Sequence, residues 1–398
     1  MRLVIINNLY KPYNRGGAET VAEKIAAQAT AAGHEVFIIT TAPDKSYVMD
    51  NIYYLKSAYY NLGKKSVPSR ILWQAINLFN LRKYYQVKKI LIKIKPSLVI
   101  SNNLMGLGFL LPRLLQKLKI KNVQILHDIQ LLHPGGLMYF GAEKIIDSLF
   151  ARIYQNFTRD LFAVPDLVVS PSRWLLDLYV QKKFFLGATK IVLENPVDIV
   201  NHGFRTRFDS ARQVKSGMTE KRVTKKNNDK ILKFLYVGQI EKHKGIIFLI
   251  EAWKTIINPF IELTIIGDGK QSDIVRQAIK SDKRLKWLGR RNKDEVKEAM
   301  KNADAIIVPS LCYENSPTVI YEALAVNTPF IGSNIGGIPE LAQKYNGILF
   351  QAGDSDDLKN KIEYFTKNYS ILKDASVPQA THGESENYFN SLLNNLNL

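Results

Sequence analysis

Two glutamates eight residues apart, Glu314 and Glu322, frame the stretch ENSPTVIYEAL. That separation rules out the close pairing in which two carboxylates divide acid and base work. Glu314 falls in a loop, and Glu322 on the second turn of a helix that Pro317 opens and Ser316 caps. The pattern suits two hydrogen-bond acceptors at opposite ends of one anionic ligand, on its hydroxyls. The preceding ADAIIVPS reads as a buried strand, so the whole is a strand–loop–helix junction. Such a junction offers free backbone N–H groups and the positive end of a helix dipole, which suit a phosphate. Taken alone, the stretch is also that of a well-capped surface helix with solvent-facing glutamates.

Three more places carry residue types that meet anionic ligands. Gly16 and Gly17, in YNRGGAETVAEK, allow backbone N–H groups to approach a ligand at the head of a helix, though a Gly-Gly pair also serves as a plain turn. His127 ends the strand NVQILH, placed to touch a sugar or phosphate; a histidine there also caps loops. Lys244, in VGQIEKHKG, follows a strand and can carry its charge to a phosphate, though a single surface lysine there ordinarily means nothing.

The elements that position these residues alternate. In the C-terminal half ILKFLYVGQI, IELTIIGDG, LKWLG, DAIIVPS, TPFIGSN and GILFQ are short apolar strands, with helical patterns such as QSDIVRQAIK and KDEVKEAMKNA between them. RLVIINN, EVFIITT, SLVISNN, NVQILHD, DLVVSPS and KIVLEN are the strands of the N-terminal half. Repeated βα units predict parallel sheets with helices on both faces. The expected class is α/β, two doubly wound Rossmann-like domains facing across a cleft, with ligand at the strands' carboxyl ends. Residues 1–198 form the N-terminal domain and 231–380 the C-terminal one. Residues 199–230, polar and basic, form a linker or excursion, and 381–398 a C-terminal helix packing back on the N-terminal domain.

Bulk properties narrow the partners. The 398 residues carry a net charge of +19, and residues 1–200 hold 26 Lys/Arg against 13 Asp/Glu. From Asn51 to His127 there are 14 Lys/Arg and no acid, interleaved with aromatics. Anionic lipid headgroups, nucleic acid or a polyanionic substrate fit such a segment, as does a solvated face with no partner. With no zinc finger, RNP motif or basic zipper, nucleic acid is the weakest, and an anionic membrane surface comes first. Lys64, Lys65, Arg82, Lys83, Lys88 and Lys89 are the membrane-binding residues on this reading. No apolar run approaches the length that spans a bilayer, and MRLVIINNLY reads as a first strand, not a signal peptide. One cysteine, Cys312, excludes an intramolecular disulfide and fits a reducing compartment.

Taken in order, Gly-Gly-Ala-Glu, Gly-His-Glu-Val, His127-Asp128, Asn195-Pro-Val-Asp198, Val-Gly…Lys-Gly, Ile-Gly-Asp-Gly, Glu-x7-Glu and Gly-Gly-Ile-Pro-Glu resemble the family-4 retaining glycosyltransferases of GT-B fold. The similarity runs from residue 1 to about 350, and the block Pro309 to Leu341 is its most specific part. The resemblance implies a hexosyltransferase with an N-terminal acceptor-binding and a C-terminal nucleotide-sugar-binding domain. It places Glu322 on the ribose hydroxyls and Glu314 on a hydroxyl of the transferred sugar. Backbone groups from Asn315 to Thr318, Ser316 included, hold the sugar and its phosphates, with Gly16, Gly17, Gln239 and Lys244 around the diphosphate. His127 contacts the donor sugar near the reacting carbon; His127, Lys244 and Glu314 are the catalytic set. Retention by front-face attack is implied, the leaving phosphate taking the acceptor's proton, with no cofactor and no divalent metal.

Two features set limits. Asp354-Ser-Asp356 matches a metal-binding Asp-x-Asp pattern, but its position before a helix reads as capping. Gln239 stands where the family usually has an arginine on the diphosphate, and a neutral amide lacks the guanidinium fork; Arg15 or His243 is placed to compensate. The leading expectation is transfer of a sugar from a nucleotide-diphosphate sugar to a membrane-borne, lipid-linked glycan in cell-surface polysaccharide synthesis, at the cytoplasmic membrane face. The alternatives are a non-catalytic sugar-nucleotide-binding or scaffold protein, and a sugar-nucleotide 2-epimerase.

Overall fold

The computed structural model describes residues 1–14, 16–64, 66–163, 165–196, 230–369 and 387–398. Arg15, Lys65 and nearly all of the 199–230 linker lie outside the described residues. The chain divides into two units, Met1–Val197 with Glu386–Leu398, and Asp198–Ser385.

In the first unit β1 (Arg2–Ile6) and α1 (Gly17–Ala31) lead to β2 (Glu35–Ala42), β3 (Tyr47–Met49) and β4 (Ile52–Lys56). Helices α2 (Val67–Leu78) and α3 (Leu81–Ile94) precede β5 (Leu98–Ser101), α4 (Leu111–Lys117) and β6 (Lys121–Ile125). Then come α5 (Leu149–Leu161), β7 (Leu167–Ser170), α6 (Arg173–Gln181) and β8 (Thr189–Val192). The sheet runs β3-β4-β2-β1-β5-β6-β7-β8. It is parallel except where β3 pairs antiparallel with β4. All six strands expected from sequence are present. The β3–β4 hairpin is an addition: Ile52 to Lys56 looks aromatic and basic in sequence, yet pairs in parallel with β2, leaving β3 at the sheet's edge.

The second unit holds β9 (Leu232–Val237), α7 (Ile246–Lys254), β10 (Ile261–Ile266), α8 (Ser272–Ser281) and β11 (Leu285–Gly289). It continues through α9 (Lys293–Lys301), β12 (Ala305–Val308), α10 (Thr318–Leu324), β13 (Phe330–Ser333), α11 (Ile338–Tyr345), β14 (Ile348–Phe350) and α12 (Ser355–Lys367). Its sheet, β11-β10-β9-β12-β13-β14, is parallel throughout. Strands such as AIIV of β12 are buried along their whole length because helices cover both faces. In each sheet the order reverses beside the first strand, between β1 and β5 and between β9 and β12. Loops leaving the carboxyl ends of those strands diverge and open a crevice.

The last helix, α13 (Tyr388–Asn394), belongs to the first unit. Tyr388, Phe389 and Leu392 are buried in its core with Val21 and Ile25 of α1. The backbone N–H of Phe389 donates to Gln28 Oε1 at 3.2 Å.

Candidate functional site

The crevice of the second unit gathers the sequence's most specific residues. Lys244 leaves the loop after β9 and Glu314 the loop after β12; Lys244 Nζ donates to Glu314 Oε2 at 2.9 Å. The two side chains are 28% and 12% exposed. Ser310 Oγ donates to the other glutamate oxygen, Oε1. Burial resists charge on Glu314, but Lys244 and the bonds from Lys244 and Ser310 hold its pKa below the ordinary value. Burial likewise opposes charge on Lys244, and Glu314 raises its pKa in spite of it. Both residues are therefore ionised at neutral pH, and the ammonium is fixed by a carboxylate.

Two glycines let this pair form. Gly245 has φ +72°, and a Cβ there would lie 1.7 Å from the Pro309 carbonyl oxygen. No other residue lets the Lys-Gly loop lie so close to the end of β12. Leu311 N–H donates to His243 O at 2.9 Å and ties the same two loops. Gly336 has φ +66°, and a Cβ would come within 2.2 Å of the Glu314 carbonyl oxygen. That oxygen instead accepts the Gly337 N–H at 2.8 Å. The Gly-Gly-Ile-Pro-Glu run thus acts as a backbone brace beneath Glu314.

The helix start differs from the expectation. Ser316 is not the cap and Pro317 is not the first helical residue; α10 begins at Thr318, and Pro317 takes the cap position without a side-chain bond. Ser316 Oγ pairs instead with Tyr321 OH at 2.8 Å, so its oxygen is drawn from the helix end. Asn315 is buried, Thr318 half-buried, and Glu322 exposed on α10. Gln239 is exposed, and its carbonyl accepts from Tyr236 OH at 2.7 Å. His243 is half-buried; burial, then Lys244, lowers its pKa, so it adds no charge at neutral pH. Cys312, buried, has its thiol pushed up to about 12 by burial and then by Glu314.

In the first unit Gly16 is the N-cap of α1 and Gly17 its first residue. Gly16 N–H donates to Glu19 Oε2 at 2.8 Å, so one of the pair's donors is already engaged. His127 lies two residues beyond β6, half-buried, with Nε2 2.8 Å from Asn102 Oδ1. Burial lowers its pKa to about 4, which keeps it neutral in the physiological range. Beside it Asp128 accepts the Gln130 N–H at 2.8 Å, and burial raises its pKa to about 6. A cavity of about 30 Å³, the size of one water, is lined by Gln124, His127, Asp128 and Tyr179 among others. Asn102 Nδ2 and Gln124 Oε1 are buried without a hydrogen-bond partner.

Sequence reasoning missed Ser310 and Asn102, and left Asp128 without a role. A signal for Asn102 exists: β1 and β5 both run into an Asn pair, Asn7-Asn8 and Asn102-Asn103, at the reversal of strand order. These asparagines lace the loops together, with Asn8 N–H to Asn103 O at 2.8 Å and Asn103 N–H to Asn7 Oδ1 at 3.2 Å.

The Asp-x-Asp match is a cap. Asp354 Oδ1 accepts the N–H groups of Asp356 and Asp357 at 3.0 and 2.9 Å. Among the described residues no three His, Cys, Asp or Glu side chains cluster as a metal site would require.

Of the basic residues, Arg82 and Lys89 are exposed, Lys88 is half-buried, and Lys64 closes a 3-10 turn. Lys83 is a correction. It is 6% exposed, and its Nζ donates to Lys56 O at 2.6 Å and to Gln86 Oε1 at 3.1 Å. Burial, then Arg82, lowers its pKa to about 8. Its charge faces the protein, because α3 turns every third or fourth residue inward and Lys83 shares that face with Val87 and Leu91. Among the described residues no helix is long and apolar enough to cross a membrane.

Comparison with known proteins accounts for both units. Residues 15–200 match the model of Glycosyltransferase Family 4, and residues 218–380 that of Glycosyl transferases group 1. An uncharacterized 42.6 kDa protein in the cps region of Klebsiella pneumoniae is 25% identical over 399 residues, covering 93% of this chain and 98% of that one. The amylovoran biosynthesis glycosyltransferase AmsK of Erwinia amylovora is 31% identical over 138 residues, 32% of this chain and 34% of that one. Among solved structures, Anabaena Alr3699/HepE in complex with UDP-glucose superposes with a TM-score of 0.60 at 19% identity, covering 99% of this chain and 95% of that one. This chain belongs to the family-4, group 1 glycosyltransferases and has their GT-B fold of two parallel-sheet α/β domains.

Proposed function

We propose that this glycosyltransferase moves a sugar from a nucleotide-diphosphate sugar to a membrane-borne, lipid-linked glycan during synthesis of a cell-surface polysaccharide, with retention of anomeric configuration. The Lys244–Glu314 pair carries the reading. It stands at the crevice where a parallel sheet of this order binds ligands, on loops braced by Gly245 and Gly336. Lys244 presents its ammonium to the donor's diphosphate, so charge on the departing phosphate is met without a divalent ion. Glu314 accepts from a hydroxyl of the sugar and Glu322 from the ribose. Gly16 and Gly17 serve the diphosphate, and His127, neutral, serves the sugar as a hydrogen-bonding group. The bond from the sugar carbon to the diphosphate breaks as the acceptor oxygen bonds on the same face, and the acceptor's proton goes to the leaving phosphate. UDP-glucose in HepE, and the polysaccharide named for AmsK, support the donor class and the pathway class. Basic residues such as Arg82 and Lys89 support attachment to the cytoplasmic face of the membrane.

The test is a thermal-shift panel of UDP, GDP, ADP and their sugars, followed by calorimetry. A ligand at 100 times its dissociation constant adds about 2.7 kcal/mol of stability, a visible shift. Glu322→Ala should weaken the free nucleotide diphosphate by roughly 1.5–3 kcal/mol, and Glu314→Ala should act mainly on transfer. Equal losses of nucleotide diphosphate binding in both variants would refute this division of roles. Gln239 favours a second reading, a sugar-nucleotide-binding protein without turnover, because an exposed neutral amide replaces the family's arginine. Binding without product formation in the presence of lipid-linked acceptor selects it.

A further inference from the structure

The first unit carries an apolar crest that belongs to no site described above. Leu72 and Ile76 of α2 and Phe79, which caps its end, recur at helical spacing, and Leu72 is 64% exposed. On α5, Phe150, Ile153 and Phe157 do the same, while Ala151, Tyr154 and Thr158, about a quarter turn round the helix, are buried. The two rows meet: the rings of Phe79 and Phe157 are edge to face at 5.7 Å. Gln74 of α2 donates to Pro134 O at 3.2 Å, and the His133 ring of that loop stands edge to face with the Phe150 ring, centroids 6.5 Å apart. Single exposed apolar residues are ordinary, but a continuous row over two helices marks a binding surface.

Charge around the crest selects the partner. Helices α2 and α3 hold six Lys/Arg and no acid; Arg70, Arg82 and Lys89 are exposed on them, and Arg82 follows Phe79 by three residues. Arg152 is exposed on α5 and Lys144 on the 3-10 turn before it. The acids nearby are largely committed: Asp147 pairs with Lys182 and Glu143 accepts the Gly141 N–H, leaving Asp160 exposed at the end of α5. Apolar side chains framed by cations suit a surface that is anionic at the headgroups and apolar just beneath. A subunit of the same basic chain would set cation against cation.

We propose that the crest of α2 and α5 is a membrane-docking face that inserts its apolar side chains between the headgroups of an anionic bilayer, with the surrounding arginines and lysines on the phosphates. The apolar insertion adds to the electrostatic attachment proposed above and rests on that reading for its cations, but it does not depend on sugar transfer: a chain inactive as an enzyme would still bind vesicles.

Flotation with phosphatidylcholine vesicles, with and without phosphatidylglycerol, tests it on the full chain. Wild type should float with the anionic vesicles and keep a bound fraction at about 0.5 M salt, where surface charge is screened. The double variant Phe150→Ser, Ile153→Ser should lose about tenfold or more in partitioning at either salt, with nucleotide affinity unchanged. Leu72→Ser with Ile76→Ser, on the other helix, should do the same, and carries the test if the first pair fails to fold. Phe150→Trp should shift its emission to the blue when anionic vesicles are added. Serine variants that float like wild type overturn the proposal. So does a wild-type dimer in sedimentation that the same substitutions dissociate, since the crest is then a subunit interface.

Discussion

Replacing Lys244 by Met, Glu314 by Gln, and both together should give three stabilities that do not add. At 2.9 Å the pair's gross attraction is roughly 6 kcal/mol at an effective dielectric of 20, but removal of both charges from water offsets most of it. The separate losses are more telling. Lys244→Met leaves a carboxylate that is 12% exposed with Ser310 as its remaining partner. An orphaned buried charge costs about 3–5 kcal/mol, and the residual exposure here brings that to about 2. Glu314→Gln leaves an ammonium 28% exposed that still has an amide oxygen to bond, so about 1 kcal/mol is lost. The double variant buries neither charge and should also lose about 1 kcal/mol, a coupling of about 2. Urea unfolding at pH 7.5 measures it, in a chain with Trp73→Phe and Trp174→Phe so that Trp253 and Trp287 report on the second unit. Glu314's pKa is depressed in the fold, so the stability tied to it is present above the ordinary value of 4.5 and goes as pH falls through the native one. Coupling below about 0.5 kcal/mol at pH 7.5 would refute the assignment of two ionised, mutually dependent groups.

Other outcomes follow from single groups. Asp128→Asn should stabilise the protein at pH 8 by at most about 3 kcal/mol, since burial raises that carboxyl from 3.8 to about 6 and its charged form is disfavoured in the fold. The cost it removes is absent below the unfolded value, so melting at pH 3.5 should show no gain; equal gains at both pH values would contradict the shift. Asn102→Asp should make His127 about tenfold or more easier to protonate, because a carboxylate replaces a neutral acceptor at 2.8 Å. A titration of the imidazole by NMR reads this directly, and an unmoved His127 would mean that Asn102 does not position it. Gln239→Arg should tighten donor binding by about 1 kcal/mol, measured by calorimetry, as a charge-assisted contact replaces a neutral one. No gain would mean that another cation already holds the place.

The second unit is the more legible half because its signals are backbone signals. Gly245 and Gly336 are required by close approaches to Pro309 and Glu314, so the motif announces a geometry and the geometry sets the pair. Each βα unit there has the apolar strand and helical period that sequence reading recognises, and all six strands of that sheet appear where the runs place them. What failed was finer. Ser316 has the chemistry of a cap, but Tyr321 one turn on competes for its hydroxyl. The β3–β4 hairpin was hidden because Tyr53, Tyr54 and Lys56 look like a basic, aromatic surface. Tyr54 is in fact fully buried, with its hydroxyl on the Lys11 carbonyl at 2.6 Å. The Asn102–His127 bond joins residues 25 apart and could be seen only once β5 and β6 were neighbours.

Lys83 shows what the charge imbalance of the first half means. Its ammonium is buried and bonded to neutral oxygens, and its pKa of about 8, against 10.5 ordinarily, corresponds to about 3 kcal/mol of stability forgone at pH 7. A glutamate within reach would remove most of that cost, and a surface selected for stability alone would have room for one. The segment from Asn51 to His127 supplies none. An acid beside Lys83 on α3 would also stand near Arg82, and it would repel an anionic bilayer as much as it steadied Lys83. The same lack of carboxylates that leaves one lysine unpaired inside therefore keeps the outer ones available. On this account the informative feature of the segment is its missing acids more than its many bases. A Gln86→Glu change exposes the trade: it should stabilise the fold by about 1–2 kcal/mol through Lys83, whose Nζ already bonds Gln86 Oε1, while weakening binding to anionic vesicles. If Gln86→Glu stabilised the protein and left vesicle binding intact, the absence of acids would have no connection with the membrane.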